Sequence, residues 1–157
     1  MGGMRVDTSS RLISADARAV FTAFADADLF LAWLPPAGMT GRLDRFDPRP
    51  GGGFRMVLTY DEAPAGGGKA GDGTDVVEAR IAEFDAPRRI VWEVEFPSDD
   101  PAASGVMTMV WTLTPDDGGT RVSVEASGVP DAISPEAHAA GLASSLANLA
   151  AVVERPA

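Results

Sequence analysis

Residues 90–96 read Ile-Val-Trp-Glu-Val-Glu-Phe, the clearest two-residue alternation in the chain. The even-numbered positions are all apolar, whereas the odd-numbered positions include Glu93 and Glu95. Successive side chains of a β-strand point to opposite faces of a sheet, so the stretch predicts a strand with one buried face. Glu93 and Glu95 are expected to face solvent, which removes them as a catalytic carboxylate pair.

The segments on both sides repeat this alternation. Further strands are predicted at residues 5–13, 41–46, 54–60, 77–84, 107–113 and 122–126. Glycine-, proline- and aspartate-rich segments, such as residues 47–53 and 115–119, separate them as turns. Residues 61–73 contain two glycine runs and little apolar surface, and we expect them to form a mobile hairpin loop. The pattern predicts consecutive antiparallel strands.

Three helices are predicted around the strands. Ser134-Pro135-Glu136 is a strong helix start, and a long helix is expected to run to about Val153. Two short helices are predicted after the first strand, the first capped by Asp16 and the second ended by Pro35-Pro36. Gly141 costs about 1 kcal/mol inside a helix, so we expect it to permit close approach of a neighbouring element. The fold class is therefore α+β, with a curved antiparallel sheet around a long C-terminal helix.

Composition restricts the possible partners. The chain has 157 residues, a formal net charge of -10 and no cysteine. This length predicts a single domain over residues 1–157, with a structured core at about 4–153. The negative charge disfavours nucleic acid, and no segment has the ~20 apolar residues needed for membrane insertion. The lack of cysteine fits a cytoplasmic location, and the chain is expected to be a monomer or a homodimer.

Five short motifs point to a known family. They are Ala32-Trp33-Leu34, residues 49–55 (RPGGGFR), residues 86–92 (APRRIVW), Gly118-Gly119-Thr120 and residues 138–142 (HAAGL). In this order and spacing they resemble the START-like (SRPBCC, helix-grip) superfamily, in the branch of activator of heat-shock protein ATPase homologue-like proteins. The resemblance implies a cavity between sheet and long helix that often takes apolar ligands. Members include ligand carriers, cyclases or hydrolases, and co-chaperones, so it does not imply one activity.

The candidate ligand-binding residues are inner-face positions of the predicted strands, together with Trp33, Leu142 and His138 of the predicted helices. They are Trp33, Met56, Leu58, Tyr60, Trp92, Val94, Met107, Met109, Trp111, His138 and Leu142. Methionine and tryptophan suit an adaptable lining, although packed cores use the same residues, and both alternatives stay open. Tyr60 and His138 are the groups expected to orient a ligand, with a surface-facing hydroxyl as the alternative for Tyr60 and helix-start packing as the alternative for His138.

No catalytic, metal or cofactor site is predicted. His138 is the only histidine, which leaves no multi-histidine metal site. The run Gly51-Gly52-Gly53 leads into a strand and lacks the lysine of a phosphate-binding loop, so it predicts a structural turn. The leading hypothesis is a binding module for a small apolar or amphipathic molecule. The alternatives are a polyketide cyclase- or hydrolase-like enzyme that uses His138 or Tyr60, and a stress-related protein-interaction adaptor.

Overall fold

Seven antiparallel strands form one curved sheet in the computed structural model, which describes residues 6–35, 38–60, 74–96, 105–130 and 134–154. The strands are β1 (Val6–Ile13), β2 (Met39–Asp47), β3 (Gly53–Tyr60), β4 (Thr74–Asp85), β5 (Arg89–Phe96), β6 (Gly105–Asp116) and β7 (Gly119–Ser127). Their order across the sheet is β1-β7-β6-β5-β4-β3-β2, so β1 and β2 are the two edges. All seven predicted strands are confirmed. The loop predicted at residues 61–73 lies outside the described residues.

The described residues also form three helices, as predicted. They are α1 (Ala17–Ala25), α2 (Ala27–Trp33) and α3 (Pro135–Val153). The Asp16 and Ser134 side chains accept hydrogen bonds from the free N–H groups of the first turns of α1 and α3. Asp26, which the sequence analysis did not identify, ends α1 and caps α2 with its side chain. A single residue thus separates the two short helices.

Local irregularities account for the curvature of the sheet and for one glycine-rich turn. The register shifts between Leu43 and Arg45 in β2 and between Ile81 and Glu83 in β4, and such bulges bend a strand and increase its twist. In the turn before β3, a Cβ atom on Gly52 would collide with the Asp47 backbone carbonyl. The glycine run therefore serves the close packing of this turn, as the structural-turn interpretation predicted.

Helix α3 runs alongside the edge strand β1 and is bonded to it near both ends. The Nδ1 atom of His138 lies 2.7 Å from Oδ2 of Asp7, and the Ser14 N–H donates to Oε2 of Glu154 at 2.7 Å. The step from Asp7 to Ser14 along the strand covers about 23 Å, and that from His138 to Glu154 along the helix about 24 Å. The strand and the helix therefore match in length and run in the same direction. α3 also contacts α1 and α2.

The core lies between the inner sheet face and the three helices. Its centre is a group of six rings, here called the aromatic cluster: Phe24, Phe30, Trp33, Phe54, Trp92 and Trp111. Neighbouring ring centroids in it lie 4.9–5.9 Å apart, mostly in edge-to-face arrangements. Because α1 and α2 contribute half of these rings, the two short helices close one part of the inner face.

Candidate functional site

One end of the sheet brings together the beginnings and ends of several elements, and we call it the Asp7 end. β1, β6 and α3 begin there, whereas β3, β5 and β7 end there, because neighbouring strands are antiparallel. The residues predicted to bind a ligand divide into two groups according to the exposure of their side chains.

The first group is enclosed in the core. It consists of Trp33, Met56, Trp92 and Trp111, with exposed fractions of 0–4%. Three of the four belong to the aromatic cluster, and the Trp33 indole N–H also donates to the Ala23 carbonyl oxygen at 2.8 Å. These side chains are held by their protein neighbours. A ligand-contacting role for them stays a prediction.

The second group lies towards the Asp7 end. Leu58 and Val94 stand two residues before the ends of β3 and β5, and Met107 stands two residues after the start of β6. Together with Met109 they keep exposed fractions of 5–9%. All four side chains are apolar and lie on the inner face. They belong to the same hydrophobic core as Leu142 of α3. The inner face thus retains a small exposed apolar area near this end.

A polar pair borders that apolar area. The His138 and Asp7 side chains are only 13% and 8% exposed, and they are joined through Nδ1 and Oδ2. Asp7 lies opposite Ala126 in β7, and Ala126 lies opposite Met109 in β6. Neighbouring strands are about 4.8 Å apart, so Asp7 and Met109 are separated by one small side chain and about 10 Å. When His138 is neutral and donates from Nδ1, its Nε2 keeps a lone pair that accepts a proton or a hydrogen bond.

His138 is among the residues predicted from the sequence, whereas Asp7 is not. The sequence nevertheless contains a signal for Asp7. Asp7 and Ile13 are an even number of residues apart in β1, so their side chains lie on the same face of the sheet, and Ile13 is fully buried. A carboxylate on the inner face of a strand needs a partner, and this requirement makes it a candidate site residue. The other predicted polar group, Tyr60, is the last residue of β3, and its side chain lies outside the described part of the structure.

The outer face of the sheet carries paired charges. Glu93 forms an ion pair with Arg80 at 2.6 Å, and both side chains are well exposed. Glu95 is also exposed, which confirms that these two glutamates face away from the core.

The described residues contain neither a cluster of metal-binding side chains nor a membrane-spanning helix. Over residues 6–35, 38–60, 74–96, 105–130 and 134–154, no three His, Asp or Glu side chains are grouped as a metal site requires. Within the same ranges, none of the helices has the length and hydropathy needed to cross a membrane.

Comparisons with known proteins match nearly the whole chain. A family model described as activator of Hsp90 ATPase homolog 1-like protein matches residues 14–154. The solved structure of protein CV1439 from Chromobacterium violaceum is 30% identical, with a TM-score of 0.81, and the match covers 96% of this chain and 99% of that one. A comparison with curated proteins finds no match.

Two further solved structures support the fold alone. Protein MLL2253 from Mesorhizobium loti is 20% identical with a TM-score of 0.76, over 98% of this chain and 99% of that one. The AHSA1-like protein from Aeromonas hydrophila is 19% identical with a TM-score of 0.74, over 96% and 92% of the two chains. The family model and the 30% identical relative together establish that the chain belongs to the activator of Hsp90 ATPase homolog 1-like family, within the START-like (SRPBCC) superfamily.

Proposed function

We propose that the protein binds a small apolar or amphipathic molecule at the Asp7 end of its inner sheet face. The observation that carries the proposal is the contrast in exposure along this face. The aromatic cluster is closed, whereas Leu58, Val94, Met107 and Met109 keep 5–9% of their surface exposed near the strand ends. Membership in a fold family that commonly binds hydrophobic ligands supports the same interpretation.

The side chains at this end suit a ligand that is held mainly by apolar contact. Met107 and Met109 have flexible thioether chains that adapt to different shapes. A ligand that removes about 150 Å² of apolar surface from water gains about 4 kcal/mol before the entropic costs of binding. The polar Asp7–His138 pair at the border would orient such a molecule through one hydrogen bond, as the few polar groups of apolar pockets do.

Native mass spectrometry of freshly purified protein, followed by solvent extraction, tests the proposal directly. A co-purified compound appears as added mass that is lost on denaturation. In parallel, the protein is titrated with N-phenyl-1-naphthylamine, a neutral apolar fluorophore that is not repelled by the net charge of -10. Binding with enhanced fluorescence is the expected result.

A matched pair of variants locates the binding. Met109→Ala shortens an inner side chain, and Thr108→Ala changes its neighbour on the outer face of β6. We expect Met109→Ala to weaken fluorophore binding about 5-fold, which corresponds to about 1 kcal/mol, and Thr108→Ala to leave it unchanged. Equal affinity of both variants and the wild type would show that the ligand does not bind at this face.

The Asp7–His138 pair favours a second function, a hydrolase- or cyclase-like activity. A carboxylate on Nδ1 of an imidazole holds the ring in the orientation and tautomer in which Nε2 acts as a general base. Turnover of aromatic esters that is lost in His138→Gln and strongly reduced in Asp7→Asn would support this function. Recovery of every ester unchanged after long incubation with the wild-type protein would contradict it.

A further inference from the structure

One polar group in the described part of the core has no hydrogen-bond partner. The indole N–H of Trp111 is buried, and no hydrogen-bond acceptor lies within reach of it among the described residues. Trp33, in the same aromatic cluster, donates its N–H to the Ala23 carbonyl oxygen. The two residues are equivalent in chemistry and in burial, and they differ in whether the donor is satisfied.

An unsatisfied donor at this depth requires an explanation. A buried N–H without an acceptor has lost its hydrogen bond to water and has gained none in return. In native proteins such groups are rare, and strain, a functional role or a bound water or ion explains them. An aromatic ring face is a weaker acceptor, and Phe24, Trp33 and Trp92 surround Trp111.

The position of Trp111 connects it with the proposed binding region. Met107, Met109 and Trp111 are successive inner-face positions of β6, counted from the Asp7 end. Residues two apart along a strand are about 7 Å apart, so Trp111 lies one position deeper than Met109. On the inner face of β6, Trp111 is therefore the next side chain after Met109.

We infer that Trp111 donates its indole N–H to a neutral acceptor atom at the buried end of the ligand, such as a ketone, ester or ether oxygen. The inference rests on the proposed function and narrows it to aromatic or acyl compounds that carry such an oxygen. A carboxylate or phosphate does not fit this place, because the rings that contact Trp111, those of Phe24, Trp33 and Trp92, provide no cation. The affinity for the ligand then has two contributions, apolar contact near Met109 and one hydrogen bond from Trp111.

The test uses acetophenone and ethylbenzene, which differ only in a carbonyl group in place of a methylene group. The full-length protein is labelled with ¹⁵N at its 3 tryptophans, so that each indole N–H gives one NMR cross-peak. We expect acetophenone to move the Trp111 indole proton downfield and ethylbenzene not to do so. The Trp33 N–H, already bonded to Ala23, serves as the internal control for general effects of binding.

Trp111→Phe supplies the affinity measurement and assigns the cross-peak. The variant should bind acetophenone about 5- to 10-fold more weakly and ethylbenzene with unchanged affinity, because only the ketone loses a hydrogen bond. If Trp111→Phe does not fold, Trp33→Phe and Trp92→Phe assign the cross-peak by elimination, and the chemical-shift test on the wild type still decides.

The outcomes separate the two proposals. Binding of both compounds with a stationary Trp111 cross-peak would overturn the Trp111 inference and leave the proposed function in place. The Trp111 inference is also overturned if its indole proton already has a bonded shift in the ligand-free protein, from an internal water, and acetophenone does not change it. Failure of both compounds and of N-phenyl-1-naphthylamine to bind would overturn the proposed function and this inference together.

Discussion

Nδ1 of His138 and Oδ2 of Asp7 lie 2.7 Å apart, and through them the first turn of α3 is joined to the first residues of the edge strand β1. The two residues are 131 positions apart in sequence, so the pair connects the first strand with the last helix. Both side chains are largely buried. The pair therefore has a structural role whether or not it also contacts a ligand.

The energy of this pair can be measured by a double-mutant cycle of Asp7→Ala and His138→Ala. We expect a coupling of about 1.5–3 kcal/mol in the free energy of unfolding at about pH 6, because the hydrogen bond involves a charged carboxylate at a site with little water. Chemical denaturation of the four proteins gives this value, and the cycle separates the pair from every other interaction of Asp7.

Arg80 and Glu93 provide the matched control. Their ion pair on the outer face is as short, at 2.6 Å, but the side chains are 61% and 39% exposed. Exposed pairs of this kind contribute about 0.2–1 kcal/mol. If the two cycles give equal couplings, burial does not strengthen the Asp7–His138 contact and its structural role is refuted.

Gly141→Ala is expected to stabilise the protein. The sequence predicts close packing at Gly141, and this prediction is wrong, since a Cβ atom there meets no described atom outside its own helix within 4 Å. Removing glycine from an exposed helix interior gains about 1 kcal/mol, so the melting temperature should rise. Ala140→Gly, at the exposed neighbouring position, is the reciprocal control and should lower the melting temperature by a similar amount. A loss of stability in Gly141→Ala would contradict the open surroundings of this residue.

The elements that sequence predicted well are those specified by local chemistry. The long helix begins and ends as predicted, at Pro135 and Val153, because Ser134 supplies a cap within the same segment. The strands follow from alternation, which depends only on neighbouring residues. The Asp7–His138 pair and the closed aromatic cluster depend on contacts between distant segments, which alternation does not contain. Whether a buried tryptophan has an acceptor, as Trp33 does and Trp111 does not, also depends on the folded arrangement.

The turn between β6 and β7 should contribute a pH-dependent part of the stability. The Asp117 backbone N–H donates to the Asp116 carboxylate at 2.8 Å, and this bond, followed by that from Arg121, lowers the pKa of Asp116. A carboxyl group with a lowered pKa in the folded state stabilises the fold above its unfolded pKa, about 3.9, and loses this contribution as the pH falls through the folded pKa.

The prediction for Asp116→Ala is a melting temperature below that of the wild type at neutral pH, with a difference that disappears in strong acid. Thermal unfolding from about pH 7 to about pH 2 measures it. Arg121→Ala should lower the melting temperature at neutral pH less than Asp116→Ala does, because the hydrogen bond from the Asp117 backbone is the larger cause of the lowered pKa of Asp116. If the melting temperatures of Asp116→Ala and the wild type differ by the same amount over the whole pH range, Asp116 does not contribute a pH-dependent part of the stability.

Trp33→Phe and Trp111→Phe are expected to differ in their effect on the ligand-free protein, although both remove one indole from the same cluster. Ala23 lies in the last turn of α1, where carbonyl groups lack helical partners, and Trp33 supplies the donor for its oxygen. Trp33→Phe therefore leaves a buried carbonyl unsatisfied, whereas Trp111→Phe removes a donor that already has no partner among the described residues. Both variants lose similar volume, so the difference should isolate the polar contribution, and Trp33→Phe should be less stable by about 1–3 kcal/mol.

Urea denaturation of the two variants without ligand measures the difference. Equal losses would mean that the Trp111 N–H is bonded in solution, in which case its donor is not available to a ligand.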